Sequence, residues 1–410
     1  MSEELDEAAL PLAPLVPLLE PRDGVPPVVE TAAALATAIE ALANGSGAVA
    51  VDAERASGHR YGQRAYLVQL RREGAGTVLI DPVACPELGE LSAALADAEW
   101  VLHAASQDLP SLREVGLEPQ RLFDTELAAR LAGFQRVGLA TMVEVLLSRQ
   151  LAKEHSAVDW SRRPLPEPWL RYAALDVELL VDLRQALHGE LTRQGKLAWA
   201  EQEFEAVRTA TPPPPRPDPW RRTSGMHRVR TRRQLAVVRA LWLARDAIAR
   251  DRDAASGRVL PDAAIIAAAT TLPTDAAALG RLPGWGGRST RRLVDRLWPT
   301  IEAAYQLPDS ELPRQSLPGD GPPPANRWPD RDPEAAARLA RARAGLQAIA
   351  DEHGLPVENL LTPELVRRLA WAPAAVDRQG IAAYLAEKGA RPWQVELTAE
   401  VLADAMREPS

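Results

Sequence analysis

The sequence predicts an α/β domain, a mixed sheet flanked by helices, followed by two all-α helical domains. Three observations carry that expectation. Strand-like runs at 47–51, 66–70 and 77–80 follow one another without helices, which implies an antiparallel meander. Beyond them strand and helix alternate, which argues for parallel pairing in the same layer. From Thr125 onward the apolar spacing is mostly helical, and two Pro-rich stretches divide that helical remainder.

In chain order, residues 1–27 read as a leader or an arm lying on the body, and the first domain spans 28–210. A helix over about 31–43 ends at the turn signal Asn44-Gly45. Small and β-branched residues from Gly47 to Val51 then form a buried strand running into Asp52 and Glu54. Two strands follow, and Asp81-Pro82 stops the second of them. Glu87–Ala98 reads as a helix, Trp100–His103 as a strand, and Gln107-Asp108-Leu109 as the opening of the next helix. Pro166–Gly189 reads as one helix, with Glu167 and Pro168 in its first turn. The four consecutive prolines of 211–222 make a semi-rigid linker. Helical regions at 223–306 and 334–410 flank a second linker, 307–333. Both open on an Ala/Arg/Leu helix, Arg233–Asp251 and Glu334–Glu352, as a divergent duplication would.

The 410 residues exceed one ordinary domain, and 46% hydrophobic content is ample for packed cores. The net charge of −8 excludes a basic polyelectrolyte, although a local arginine patch can still hold nucleic acid. Only Lys153, Lys196 and Lys388 are lysines, so arginine carries nearly all the positive charge. The single cysteine, Cys85, rules out an internal disulfide and a cysteine zinc site, and reads as a buried side chain. The N-terminus lacks the order of a signal peptide, and no apolar run is long enough to span a bilayer. The expected setting is cytoplasmic, with no membrane partner. The nearest approach to a phosphate-binding P-loop, Gly189 to Lys196, is one residue too long and is followed by Leu197.

Side chains on a strand alternate, so Asp52 and Glu54 point to one face. Carboxylates that close resist joint ionisation unless a cation lies between them. Oxygen-only ligands suit magnesium or manganese rather than zinc. Two later acids join the list. Asp108 stands after a strand and at a helix start, where it could simply favour the helix dipole. Asp176 shares a helix face with Tyr172 four residues earlier, and an arginine such as Arg184 or Arg130 could neutralise it instead of a metal.

Taken together these residues resemble the ribonuclease D family of DEDD-type 3′→5′ exonucleases. Asp52-Ala53-Glu54 is similar to the first motif, His103 through Asp108 to the second, and Tyr172-Ala-Ala-Leu-Asp176 to the third. Asp159-Trp-Ser-Arg-Arg-Pro-Leu165 and Phe123-Asp124-Thr125 also resemble the family. Tyr172 points to its tyrosine subclass. Region 223–306 resembles an HRDC domain, and 334–410 looks like a second, more divergent copy. Arg55 departs from the aromatic or apolar residue that many relatives carry there.

The resemblance implies a ribonuclease H-like exonuclease domain and two divalent cations, Mg2+ or Mn2+. It implies Asp52 bridging both ions, Glu54 and Asp176 on the ion that activates water, and Asp108 on the other. It implies Tyr172 orienting that water. The expected partner is the single-stranded 3′ end of RNA, tRNA precursors and other structured RNA among it, attacked by a monomer that releases nucleoside 5′-monophosphates. The alternatives are a DNA exonuclease with the same site and a catalytically silent nucleic-acid-binding protein. Because four carboxylates repel phosphate, the grip must come from elsewhere. Candidates are His103, an arginine cluster at 216–233 that includes Arg228 and Arg230, and the Gly-rich turn leading to Arg288, Arg291 and Arg292. Trp220 and Trp285 lie nearby, where bases could stack, although tryptophan is more often core.

Overall fold

A computed structural model of the chain describes residues 14–151, 158–315 and 321–407. The 1–13 part of the expected leader and the 316–320 part of the second linker lie outside the described residues. The central sheet has six strands: β2 (Val28–Val29), β3 (Ser46–Arg55), β4 (Ala65–Glu73), β5 (Gly76–Ile80), β6 (Glu99–Leu102) and β7 (Arg121–Asp124), in the order β2-β5-β4-β3-β6-β7. β3, β4 and β5 are antiparallel, as three strands without intervening helices require. β6 runs parallel to β3, and β7 parallel to β6. The sheet is therefore mixed, and β3 lies inside it with a partner on either edge. That placement explains the run Val49, Ala50, Val51, which is almost fully buried.

The helices of this domain are α1 (Ala32–Asn44), α2 (Gly89–Ala94), α3 (Leu109–Glu114), α4 (Thr125–Leu131), α5 (Leu139–Leu147), α6 (Glu167–Glu178), α7 (Leu180–Arg193) and α8 (Leu197–Thr209). α2 is shorter than the sequence predicts, because residues 95–98 turn into β6. The predicted single helix over Pro166–Gly189 is two helices. Leu179, with φ −116° and ψ 6°, leaves helical dihedrals and separates α6, which packs on β3, β4 and β5, from α7, which packs on β3 and β6. No glycine or proline marks the break, so periodicity alone could not reveal it.

The described part of the N-terminal segment is an arm on the body. β1 (Val16–Leu18) pairs in parallel with β8 (Arg149–Leu151). Beyond it, Glu20 meets Arg171 at 3.0 Å, Arg22 meets Glu178 at 3.3 Å and Asp182 at 2.9 Å, and Asp23 meets Arg71 at 2.8 Å. The arm thus grips α6 on either side of Tyr172 and Asp176.

After the exposed stretch 211–217 come single-turn helices at Pro219–Arg222 and Met226–Arg228, then Arg232–Asp251, Asp262–Thr271 and Val294–Gln306 around a core containing Trp220 and Trp285. The last helical region has its own core around Trp328. It also docks on the sheet domain: Trp393 stacks on Trp199 with centroids 5.0 Å apart, and its Nε1 donates to Glu203 at 2.9 Å. The first helical domain meets the loop that follows β3. Tyr61 N–H donates to Asp253 at 3.3 Å, Tyr61 hydroxyl to Asp246 at 3.0 Å, and Arg258 Nε to the Gly58 carbonyl at 2.7 Å. No helix among the described residues is long and apolar enough to cross a membrane.

Candidate active site

The site forms where the C-terminal half of β3 meets α6. Asp52 and Glu54 stand on the β3 face that α6 covers, and Asp176 reaches them from that helix. One carboxylate oxygen from each of Asp52, Glu54 and Asp176 lies within 4.8 Å of the others. Among the described residues no other group of three potential metal ligands comes so close. Arg184 and Arg130, the alternative partners for Asp176, are engaged elsewhere. Arg184 Nε donates to Glu99 at 2.7 Å, and Arg130 Nε to Glu126 at 3.1 Å. Asp176 instead hydrogen-bonds Tyr172, one helical turn before it.

Asp108 reaches the site from the start of α3. It sits at the N-cap position but its side chain makes no capping hydrogen bond, and its Oδ1 lies 3.4 Å from Arg55 Nη2. A residue that sequence reasoning did not single out for this task holds the preceding loop. Asp124, at the end of β7, accepts from Ala104 N–H at 3.1 Å and Ala105 N–H at 2.8 Å, and caps α4 through Glu126 and Leu127. Ala104 needs that support, because its φ of 60° is unusual for alanine. The available signal was an Asp before a helical run. His103 Nδ1 lies 2.9 Å from Thr125 Oγ1, whose hydroxyl also lies 3.1 Å from the Leu102 carbonyl. Burial lowers its pKa to about 4, so at neutral pH it has no charge to offer a phosphate.

The segment Asp159–Leu165 packs beside Tyr172 and its neighbours on α6. Trp160 is fully buried, Arg163 clasps Asp81 at 2.6 and 2.7 Å, and Ser161 accepts from Arg60 Nε at 2.7 Å. Of the nucleic-acid candidates, Arg228, Arg230, Arg288, Arg291 and Arg292 are exposed. Their neighbours Arg232 and Arg233 are occupied with carbonyls of 304–313, which makes them structural. Trp220 and Trp285 are core residues: Trp285 Nε1 donates to the Ala264 carbonyl at 2.9 Å and Trp220 Nε1 to Asp218 at 3.0 Å, so neither can stack on a base.

The electrostatics indicate what the cluster is suited to hold. Burial pushes the Glu54 carboxyl up to about 10, and Asp52, Asp176 and Asp108 push the same way. Burial, then Asp52, raises Asp108 to about 8, with Arg55 opposing. Asp52 and Asp176 are also raised, chiefly by burial. An all-oxygen set of converging acids that resists ionisation fits a hard divalent cation. The pH dependence follows from the sign of these shifts. An acid whose folded pKa is raised stabilises the fold below its unfolded value, 3.8 for Asp108 and 4.5 for Glu54, and loses that contribution as pH rises through about 8 and about 10. In EDTA the melting temperature should therefore carry a loss from this cluster as pH rises, and magnesium should raise it more at about pH 8 than at about pH 6. Equal magnesium shifts at the two pH values would refute this.

The chain matches the family description "3'-5' exonuclease" over residues 26–192, "HRDC domain" over 234–301 and "3' to 5' exonuclease C-terminal domain" over 321–406. The last match carries its own description, and the matches leave the expected second HRDC-like copy unconfirmed. The chain is 33% identical to ribonuclease D of Gluconacetobacter diazotrophicus over 338 residues, 79% of this chain and 81% of that one. Among solved structures it resembles a protein from Bifidobacterium adolescentis (TM-score 0.88, 40% identity, 96% of this chain and 100% of that one). It also resembles Escherichia coli RNase D, described as an exoribonuclease involved in structured RNA processing (TM-score 0.65, 27% identity, 93% and 98%). With the ribonuclease H-like sheet and the acidic cluster already in place, these likenesses extend over nearly the whole chain, and it belongs to the ribonuclease D family of metal-dependent 3′→5′ exoribonucleases.

Proposed function

We propose that the chain is a monomeric, cytoplasmic enzyme that removes nucleoside 5′-monophosphates from the single-stranded 3′ end of RNA, with tRNA precursors and other structured RNA as substrates. Its catalytic residues are Asp52, Glu54, Asp108, Tyr172 and Asp176. The observation that carries this is the convergence of Asp52, Glu54 and Asp176 within 4.8 Å, with the Tyr172 hydroxyl on Asp176. The four acids would hold two Mg2+ or Mn2+ ions, with Asp52 shared. When bound, such a pair supplies an activated water and a clamp on the attacking and leaving oxygens of the phosphodiester.

The protein's own part is positioning. Tyr172 keeps its proton, because burial and then Asp176, Glu54 and Asp52 raise its pKa above the ordinary value of 10. Its one proton is donated to Asp176, so its oxygen can accept a hydrogen bond from the attacking water and orient it, and it does not act as a base. Arg228, Arg230, Arg288, Arg291 and Arg292 would neutralise phosphates. The docking of their domain on the loop after β3 supports a path for RNA between it and the site. His103, being neutral, would contribute a hydrogen bond at most.

We assign 28–210 to the exonuclease domain, 223–306 to the HRDC domain and 334–410 to a diverged copy of it, with linkers at 211–222 and 307–333 and a leader at 1–27. The helix lengths support the duplication. A 20-residue helix, a 4-residue helix and a 10-residue helix in the first region correspond to 21, 4 and 9 in the second, and closing helices of 13 and 15 residues pack on the long one.

The test is digestion of matched 5′-labelled RNA and DNA oligonucleotides carrying single-stranded 3′ ends. RNA should shorten stepwise from its 3′ end with magnesium or manganese, yield nucleoside 5′-monophosphates and survive in EDTA. Faster digestion of DNA, or full activity in EDTA, would overturn the proposal.

A further inference from the structure

Arg55 follows Glu54 at the end of β3, where pairing with β4 loses its regular register. By strand alternation its side chain should leave the Glu54 face, yet its guanidinium lies 3.4 Å from Asp108. The two side chains are 26% and 9% exposed, so solvent screens the pair weakly, and removing either partner leaves the other uncompensated. Asp108 does not belong to the group of oxygens that converges within 4.8 Å, and it does not cap α3. The acids thus divide in two. Asp52, Glu54 and Asp176 face one another, and Arg55 acts on Asp52 and Glu54 only through space, whereas it stands at ion-pair distance from Asp108.

We infer that Arg55 is a positioning residue that serves as the resident cation of Asp108. The two divalent ions bind in order, the first at Asp52, Glu54 and Asp176, the second at Asp108 only once it has displaced the guanidinium. The inference rests on the reading of these four acids as metal ligands. The first ion meets no ion pair to break, displaces only the protons that burial keeps on these acids, and relieves their crowding. The second must break a weakly screened ion pair, and its affinity is reduced by that amount. The charge of the first ion repels the guanidinium, so filling the first position favours filling the second. The residue type is also consistent with this role, because a guanidinium keeps its charge at any pH at which the protein is folded.

The test is titration of metal-free, full-length protein with Mn2+ alone, following free Mn2+ by electron paramagnetic resonance, with melting temperature to confirm folding. Wild type should bind in two unequal steps. Arg55→Met should tighten the weaker step by about 10- to 100-fold, the range over which partners of metal ligands move affinity, and leave the stronger step within a few-fold. Arg55→Lys keeps a charge at the position and should preserve most of the difference between the steps. Asp108→Asn should delete the weaker step and spare the stronger. An unchanged weaker step in folded Arg55→Met overturns the inference. Should Arg55→Met fail to fold, Asp108→Asn decides, since loss of the stronger step would sink the order of binding. Two equal steps in wild type would remove the ordering alone, whereas no Mn2+ binding by wild type would remove the metal reading beneath it.

Discussion

Asp52→Asn should lower kcat by about 10²- to 10³-fold, the scale of losing one preorganised electrostatic group, while making the metal-free protein more stable at neutral pH. The two halves of this result have one cause. Asp52 lies in the interior strand β3 beside Glu54 and Asp176, and burial raises its pKa. Without a cation its charge is unfavourable there, and an amide of the same size removes that charge. With cations bound, the same carboxylate would be the one shared by both, and an amide cannot replace its charge. The melting temperature in EDTA and single-turnover rate with magnesium, measured on one preparation, check both halves. A variant that is inactive and also less stable in EDTA would mean that Asp52 holds the fold together, and the loss of activity would say nothing about metal.

Tyr172→Phe should lower kcat by about 10²- to 10⁴-fold, the range for a positioned proton-handling group, with KM near wild type. The substitution keeps the ring against Trp160 and its neighbours in the small core beneath α6 and removes only the hydroxyl. That hydroxyl is hydrogen-bonded to Asp176, so its loss falls on the site. A core role would show as a drop in melting temperature with kcat nearly unchanged, and that outcome would remove Tyr172 from the mechanism.

Much of this site is legible in the sequence. Asp52 and Glu54 share a face because strands alternate, and Tyr172 and Asp176 because they are one helical turn apart; both rules are local. The antiparallel β3-β4-β5 meander was legible for the same reason, since successive strands without a crossover have only one simple way to pair. The opening helices of both tail domains fell within a residue of prediction, because the Pro-rich segments before them and the apolar spacing within them are also local signals.

What the sequence did not disclose depends on residues far apart in the chain. Asp108 looked like a helix-dipole acid until Arg55, 53 positions earlier, was found beside it across the β3/β6 edge. Asp124 stood out in the sequence only as part of Phe123-Asp124-Thr125, and only the sheet order β3-β6-β7 places it under the loop that presents Asp108. The break at Leu179 follows from α6 and α7 packing on different strands, with no punctuating residue to announce it. Arg232 and Arg233 looked as available for RNA as Arg228 and Arg230 until the carbonyls of 304–313 came back to occupy them. The sequence by itself thus determined the elements, the acids and their pairwise facing, because hydrophobic period and residue spacing act over a few residues. The tertiary structure alone decided which acid meets an arginine, which arginines remain free and where the tail domains dock, because ion pairs and packing are set by distance in space.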